Sequence, residues 1–548
     1  MNHNALAELL FPNVSAKPEE LEARFPQRQL PEGAKVTRMA PSPTGFMHLG
    51  NLFGAIADER LAHQSGGVFY LRIEDTDQKR EVKGGVDMIL DVFKDYRLPF
   101  DEGATGNGDD GAYGPYRQRQ RVDIYHVVAK YLVQQGLAYP CFCSEEQLAA
   151  AHDKQAAAKE NFGYYGNYAI CRPLNQEEIE AHIKAGESYV LRFRSPGDMS
   201  RRVKFTDLVK GAMEFPENDQ DVVLLKSDGI PTYHFAHIVD DHFMRTTHVI
   251  RGEEWLPSLP IHVQLFAALN WRAPKFIHTA QLMKMDGGSK RKLSKRKDPE
   301  LALSFYKEQG YSVDALKEYV ITLLNSNFEE WRIANPDKPL EDFPFSIKKM
   351  SVSGALFDLD KLNDISKNVL SRLTGEQARD QLIEWAENYD TDFANLLNCD
   401  VDYVCAMLSI GRGGAKPRKD LAVWSEAKEY LSFFYDELFK PSCEYPENVT
   451  PEQMRAIFEG YQGLYNPEDD NNQWFERVKT LAESIGFAVN MKDYKKNPEQ
   501  YGGSVADVSM VLRLAVTGRK NSPDLNEIMA LLGKERVLAR LAAAAKAV

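Results

Sequence analysis

The spacing of apolar positions changes several times along the chain. Residues 1–34 are polar and interrupted by proline, with one amphipathic stretch at Leu6, Leu9, Leu10 and Phe11, which predicts an extension ahead of the first domain. From Ala34 the pattern becomes strand-like. Lys35–Met39 reads as a short strand, PSPTG as a turn, LGNLFGAIADERLAHQS as a helix stopping at Gly66-Gly67, and VFYLRIE as a second strand. Strand, helix and strand in that order predict a βαβ unit, the seed of a parallel sheet. A second region of the same kind spans 221–271, with DVVLLKSDGIPTYHFAHIVDD, THVIRG and the helical PSLPIHVQLFAALN. Between them, residues 115–220 carry a CFC pair, a Lys/Glu/Ala-rich helix and the strand-like SYVLRFRS, which predicts an insertion splitting one sheet. Beyond about residue 300, helical periodicity dominates to the end.

Length adds that one core is not enough: 548 residues suggest roughly three to five domains. Composition is that of an ordinary globular protein, with 43% hydrophobic and 27% charged residues, and no apolar run approaches the roughly 18 residues needed to cross a bilayer. A membrane protein is not expected. The first residues lack the basic start and apolar run of a secretory signal, and six cysteines in this length are not a disulfide scaffold, so a reducing cytoplasm is expected. The net charge of −13 argues against a broad polyanion-binding surface but leaves room for a local basic patch.

Four stretches carry candidate chemistry. RMAPSPTGFMHLGN, residues 38–51, lies where a strand gives way to a helix, the place where an open parallel sheet presents helix N–H groups to phosphates. His48 and Gly50 sit at that crossing, and the stretch matches neither GxxxxGK[ST] nor GxGxxG. In LRIEDTDQKR, residues 71–80, Glu74, Asp75 and Asp77 follow a strand. Such carboxylates hold an ammonium group, bind magnesium or cap the next helix. Residues 228–255 offer Tyr233, His237 and Arg251 near strand ends, and a buried arginine facing a pocket suits a carboxylate ligand. Finally, KRKLSKRK, residues 290–297, is six cations in eight residues. It is either a solvated or localisation-type charge run, or a loop that closes over a triphosphate and neutralises a pyrophosphate leaving group.

Taken in order and at this spacing, RxAPSPTGxxHxG, RIEDTD, the DGxPTYH…DD…HVIRGEEW stretch and KLSKR resemble the class I glutamyl-tRNA synthetases, HLGN standing for the family's HIGH signature and KLSKR for KMSKS. LRLAVTG and ALLGKERVLARL resemble the end of the bacterial anticodon-binding region, so the likeness covers nearly the whole chain.

This resemblance implies an α/β fold: a Rossmann-type parallel sheet split by an inserted α+β acceptor-binding domain, then an all-helical anticodon-binding region. The implied division is an extension (1–34), the first catalytic half (35–114), the insertion (115–220), the second catalytic half with the KLSKR loop (221–300), a stem-contact helical domain (301–380) and an anticodon-binding domain (381–548). It further implies a monomer in which glutamate and ATP, with magnesium, form glutamyl-adenylate, whose acyl group passes to the 3′-terminal adenosine of tRNA(Glu), with tRNA(Gln) a second acceptor in non-discriminating relatives. His48, Gly50, Lys292 and Lys295 would serve the chemistry. Glu254, Trp255 and Met283 would join His48, Gly50 and Lys295 around ATP, and Arg38, Ala40, Ser42, Glu74, Tyr233, His237 and Arg251 would enclose glutamate.

Some relatives hold a structural zinc near the CFC position. Cys141 and Cys143, with Cys171 after 27 intervening residues, supply three ligands, and Tyr164, Tyr165 or Tyr168 a fourth, since Arg172-Pro173 replaces the usual CxH. Arg412 and Arg418 lie near the position from which relatives read the third anticodon base. A glutaminyl-tRNA synthetase would carry β-barrels in place of the helical C-terminal half. A short relative that modifies a tRNA base would end soon after KLSKR. A non-catalytic paralogue would have no need of Lys295.

Overall fold

The computed structural model describes residues 2–294, 296–442 and 444–548. These form two compact units, one of residues 1–303 with 317–358 and the other of 304–316 with 359–548.

The first unit begins with helices α1 (His3–Leu10) and α2 (Pro18–Arg24). Asn2 caps α1 by accepting from the Ala5 amide, and Leu6, Ala7 and Leu10 supply its buried face. These residues are tied in by charge as well as packing. Lys130 pairs with Glu8 and donates to the Phe11 and Val14 carbonyls, while Arg28 grips Glu102 through two bonds of 2.7 and 2.9 Å. The segment expected to stand ahead of the first domain is therefore built into it.

The first sheet is assembled from β1 (Val36–Met39), α3 (Leu49–His63), β2 (Val68–Leu71), α4 (Gly85–Asp95), β3 (Glu102–Thr105) and β4 (Gly108–Asp110), with spatial order β1-β2-β3-β4. β1 and β2 pair in parallel, Val36 opposite Val68 through Met39 opposite Leu71, and both are buried along their whole length, as strands covered on both faces must be. The turn from α3 into β2 requires glycine, because a Cβ on Gly67 would lie 1.9 Å from the Lys35 carbonyl oxygen.

The chain then leaves the sheet through α5 (Val122–Gln134), β5 (Ala138–Cys141), α6 (Glu145–Ala158), α7 (Gln176–Lys184), β6 (Val190–Phe193), β7 (Arg202–Asp207), β8 (Gly211–Pro216) and β9 (Val223–Leu225). One antiparallel sheet has the order β5-β6-β9, and β7 with β8 forms a hairpin. The strand-like VLL after residue 221, read from sequence as the start of the second catalytic half, thus pairs inside the insertion. A three-residue strand carries no signal of which sheet will accept its hydrogen bonds.

The chain returns through α8 (Tyr233–Phe243), β10 (His248–Gly252), α9 (Leu259–Ala268) and β11 (Lys275–Thr279), with β10 and β11 parallel. The two halves meet where the Thr247 amide donates to the Val36 carbonyl (3.0 Å) and the Val36 amide to Thr247 Oγ1 (2.8 Å), placing β10 beside β1. The two halves therefore lie edge to edge with the insertion between them in sequence, each parallel apart from the antiparallel β4. β12 (Leu282–Asp286) and β13 (Ser289–Lys292) follow as a hairpin, with β14 (Ala355–Leu356) parallel to β12.

The second unit is helical, and among the described residues of 359–548 no strand is found. Its helices start where sequence punctuation says they should. Thr374, Thr450 and Asp470 each accept from the amide three residues on, where a glutamine side chain reaches back to the cap. One core joins Leu382, Trp424, Phe433, Phe458, Tyr461, Leu512 and Ile528. Among the described residues no helix is long and apolar enough to cross a membrane.

Candidate active site

His48 is the N-cap of α3, its backbone amide donating to the Asn51 side chain at 2.9 Å. A methyl group at residue 50 would come within 3.0 Å of both Cε1 and Nδ1 of the His48 ring, so Gly50 lets the imidazole fold back over the helix start. An isolated antiparallel bridge joins His48 to Ala302, bringing the segment after KLSKR to the HLGN turn. Ala40, half-buried, and Ser42, exposed, lie on the loop leaving β1, which is pinned by the Glu74 amide donating to the Pro41 carbonyl at 3.0 Å.

The residues expected around an amino acid are brought together from four chain segments. Asp241, fully buried on α8, is the hub: Arg72 donates to it at 2.8 Å and Arg38 at 3.3 Å, while His237 Nδ1 lies 2.8 Å from its other oxygen, out of line for a hydrogen bond. Burial disfavours the charge on Asp241, but Arg38 and Arg72 outweigh it and hold the carboxyl well below the usual carboxylate range. Arg72 also grips Glu74 at 2.9 Å. Burial pushes the Glu74 carboxyl up against the opposing effect of Arg72 and Arg38, and an ammonium placed beside it would favour its charged form.

Tyr233 stacks on His237, ring centroids 5.5 Å apart, and packs at a tilt against Trp255 at 4.4 Å. Burial holds His237 neutral, its pKa lowered to about 4 despite the neighbouring Asp241. Arg251, at the end of β10, is 8% exposed. Its Nε donates to His278 Nε2 and its Nη1 to His262 Nδ1, each at 3.0 Å, while Nη2 finds no partner among the described residues. The Tyr233 phenol comes close to Arg251 without a bond of good geometry.

The three-carboxylate cluster separates. Glu74 enters the pocket, Asp75 accepts from the Arg119 amide at 2.9 Å, and Asp77, half-buried, pairs with the exposed Arg80. Glu254 is exposed on the turn after β10 and Trp255 half-buried beside it. Met283 and Lys292 are cross-strand neighbours on β12 and β13. The charge run is less loop than its composition suggests, because residues 289–292 pair with β12. Arg291 is occupied by Asp298 at 2.6 and 2.8 Å and by Asp286, Leu293 is buried, and the Ser294 amide donates to Asp298 at 2.8 Å. Lys292, Arg296 and Lys297 are exposed; Lys295 lies outside the described residues.

Sequence reading gave no role to Arg72, Asp241, His262 or His278. Arg72 and the Asp240-Asp241 pair stood inside quoted motifs. The available signal was a charged or imidazole side chain within an otherwise apolar, fully buried run.

In the insertion, the sulfurs of Cys141, Cys143 and Cys171 lie within 4.8 Å of one another, with 3.5 Å between Cys143 and Cys171. The Tyr164 hydroxyl stands 3.4 Å from Cys141 Sγ and 3.2 Å from Cys143 Sγ. Tyr165 and Tyr168 instead bond to the Asn161 carbonyl and to Glu160. Pro173 stands where the histidine of a CxH would be, and Arg172 beside it is committed to Asp221 at 2.6 Å and to the Ser195 carbonyl.

A split parallel sheet with a strand-to-helix crossing that presents HxG, followed by an all-helical unit, is the architecture of a class I tRNA synthetase. Residues 35–364 match the family described as tRNA synthetases class I (E and Q), catalytic domain, and residues 421–545 match an anticodon binding domain. The chain is 53% identical over 542 residues to a glutamate-tRNA ligase of Acetivibrio thermocellus, covering 99% of each chain. It is 44% identical over 566 residues to one of Sorangium cellulosum, covering 97% of this chain and 99% of the relative. Among solved structures, a glutamate tRNA ligase from Elizabethkingia meningosepticum in complex with its amino acid superposes with a TM-score of 0.74 at 28% identity, over 93% of this chain and 99% of that one. The chain belongs to the glutamate-tRNA ligase family.

Proposed function

We propose that the chain attaches L-glutamate to the 3′-terminal adenosine of tRNA(Glu) in two steps, through glutamyl-adenylate formed from ATP. The observation that carries this reading is the pocket built on Asp241. Two buried arginines, Arg38 and Arg251, and one buried acid, Glu74, converge there, which suits a ligand with two carboxylates and one amine. Glu74 would take the ammonium group, Arg251 through its unpaired Nη2 the side-chain carboxylate, and Arg38, with Ala40, Ser42, Tyr233 and His237, the remaining walls.

In the first step an α-carboxylate oxygen of glutamate bonds to the α-phosphorus of ATP and the bond to the β,γ-diphosphate breaks. In the second the ribose hydroxyl of the terminal adenosine displaces AMP. No side chain is needed as a covalent nucleophile; positioning and charge stabilisation suffice. His48, beside Gly50, would donate to the phosphates, with Lys292 and Lys295 neutralising the leaving diphosphate. Glu254, Trp255 and Met283 would border the nucleotide. Magnesium would accompany ATP and neutralise its phosphates.

The inserted segment 115–220, extended to Leu225 by the pairing of β9, would hold the acceptor end of tRNA, and residues 381–548 the anticodon. Arg412 donates to the Leu408, Leu370 and Leu373 carbonyls at helix ends, and Arg418 is paired with Asp420. Both candidate anticodon readers are thus engaged within the fold, which favours tRNA(Gln) as an additional acceptor.

The cysteine cluster fits a structural zinc held by Cys141, Cys143, Cys171 and Tyr164. Tetrahedral Zn–S bonds of about 2.3 Å place sulfurs about 3.8 Å apart, near the separation seen for Cys143 and Cys171. Zinc there would cross-link the start of the insertion. The six-cysteine composition suits work in the cytoplasm.

Aminoacylation with labelled glutamate and glutamine, against purified tRNA(Glu) and tRNA(Gln), tests the function. Glutamate charging of tRNA(Glu) is expected; glutamine charging without glutamate charging would refute it.

A further inference from the structure

Arginine has five N–H donors and no acceptor, so each ring nitrogen that meets Arg251 must present a bare lone pair. His278 therefore faces Arg251 Nε with an unprotonated Nε2, and its proton sits on Nδ1, donating to Asp207 at 2.7 Å. His262 likewise faces Nη1 with an unprotonated Nδ1, and its Nε2–H donates to His234 Nδ1 at 3.0 Å. The hydrogen-bond chain Asp207–His278–Arg251–His262–His234 is thus fixed in direction from end to end. Both imidazoles beside Arg251 are neutral, and burial supports this by lowering the pKa of His278 and, further, that of His262.

A guanidinium this deep is ordinarily held by carboxylates, which cancel its charge. Here, among the described residues, no carboxylate bonds to Arg251 directly. Asp207 is one imidazole away, Asp241 and Glu74 are taken up by Arg72 and Arg38, and Arg38 adds a further positive charge nearby. The ring of Phe276 lies under the guanidinium, its centroid 5.2 Å from Cζ. Neutral holders fix the orientation of Arg251 without pairing its charge, which the more distant Asp241 offsets in part, and leave Nη2 open for an anionic ligand.

We propose that His262 and His278 are positioning residues for carboxylate selectivity: as uncharged acceptors they orient Arg251 while keeping its charge unpaired, so that a side-chain carboxylate is bound and a side-chain amide is not. This rests on Arg251 being the residue that meets the glutamate side chain. An anion substituted at either position would satisfy Arg251 from within the protein, and the pocket would then lose its demand for an anionic ligand.

The test uses isosteric pairs that differ only in charge. His262→Asn and His278→Gln place a neutral acceptor where Nδ1 and Nε2 now stand; His262→Asp and His278→Glu place an anion there. In aminoacylation by the whole enzyme, the anionic variants should raise KM for glutamate about tenfold or more with kcat within about threefold, and lower the preference for glutamate over glutamine about tenfold. The neutral partners should stay near wild type in both. Packing alone would treat each pair alike, so equal KM and equal preference within both pairs overturns the proposal. Thermal melts establish folding; should His262→Asp fail to fold, the pair at 278 decides. Arg251→Gln separates the two levels. Unchanged glutamate KM in that variant would remove the underlying pocket assignment, whereas a raised KM with indifferent pairs at 262 and 278 would remove only the role of the imidazoles.

Discussion

Replacing Asp241 by asparagine removes one charge and almost no volume from the centre of the pocket. Asp241 accepts from Arg72 at 2.8 Å and from Arg38 at 3.3 Å, and all three side chains are buried. At an effective dielectric of about 20, unit charges at those separations attract by about 5–6 kcal/mol each. Desolvation of the three ions offsets most of this, and removing the shared partner of a buried pair leaves a net loss of about 3–5 kcal/mol. The first unit of Asp241→Asn should therefore unfold at markedly lower urea, and glutamate KM should rise as Arg38 and Arg72 lose their common anchor.

The pH dependence carries a sign. The folded pKa of Asp241 lies below its unfolded value, so its stabilisation is complete above about pH 4 and is lost only as pH falls through the folded value. The difference between wild type and variant should then be flat from pH 8 to pH 5. Urea titrations followed by tryptophan fluorescence, paired with glutamate KM, measure both effects. A stability loss under about 0.5 kcal/mol with unchanged KM would refute the hub.

Gly50→Ala should displace the His48 ring, since the new methyl would sit 3.0 Å from it, and slow adenylate formation about tenfold or more while stability changes by less than about 1 kcal/mol; pyrophosphate exchange and a thermal melt check the pair. His237 and His248 are both lowered to about 4 by burial, so their stabilisation is complete above about pH 6.5 and declines as pH falls toward 4. Melting temperature should drop across that window, and His237→Asn should flatten the drop; an identical profile would remove His237 as its source. Metal analysis of protein purified without chelator should find about one zinc per chain, lost in Cys143→Ser; a metal-free wild type would leave Cys141, Cys143 and Cys171 as plain buried thiols.

Much of the site was legible because its residues sit at fixed spacing beside turns. HLGN marks a strand-to-helix crossing, Glu74 follows β2, and Arg251 sits at the end of β10. The helical unit was legible for the same local reason: periodicity and TGEQ- or TPEQ-type caps act within one turn of chain. The sheet partner of Val223–Leu225 was not, since so short a strand pairs wherever an edge is offered. Nor was the fate of Arg291, which looked like one more cation for phosphate until Asp298 and Asp286 were found to occupy it.

By itself, then, the sequence determined the family, the split sheet and the helical C-terminal half, because each is written in contacts a few residues long or in motif spacing. Tertiary structure alone decided which groups share charge. Asp241 lies 169 residues from Arg72 and 203 from Arg38, and His278 lies 27 from Arg251. Whether an arginine is held by a carboxylate or by a neutral imidazole depends on which distant side chain arrives beside it. In a dry pocket that choice decides what charge the ligand must bring.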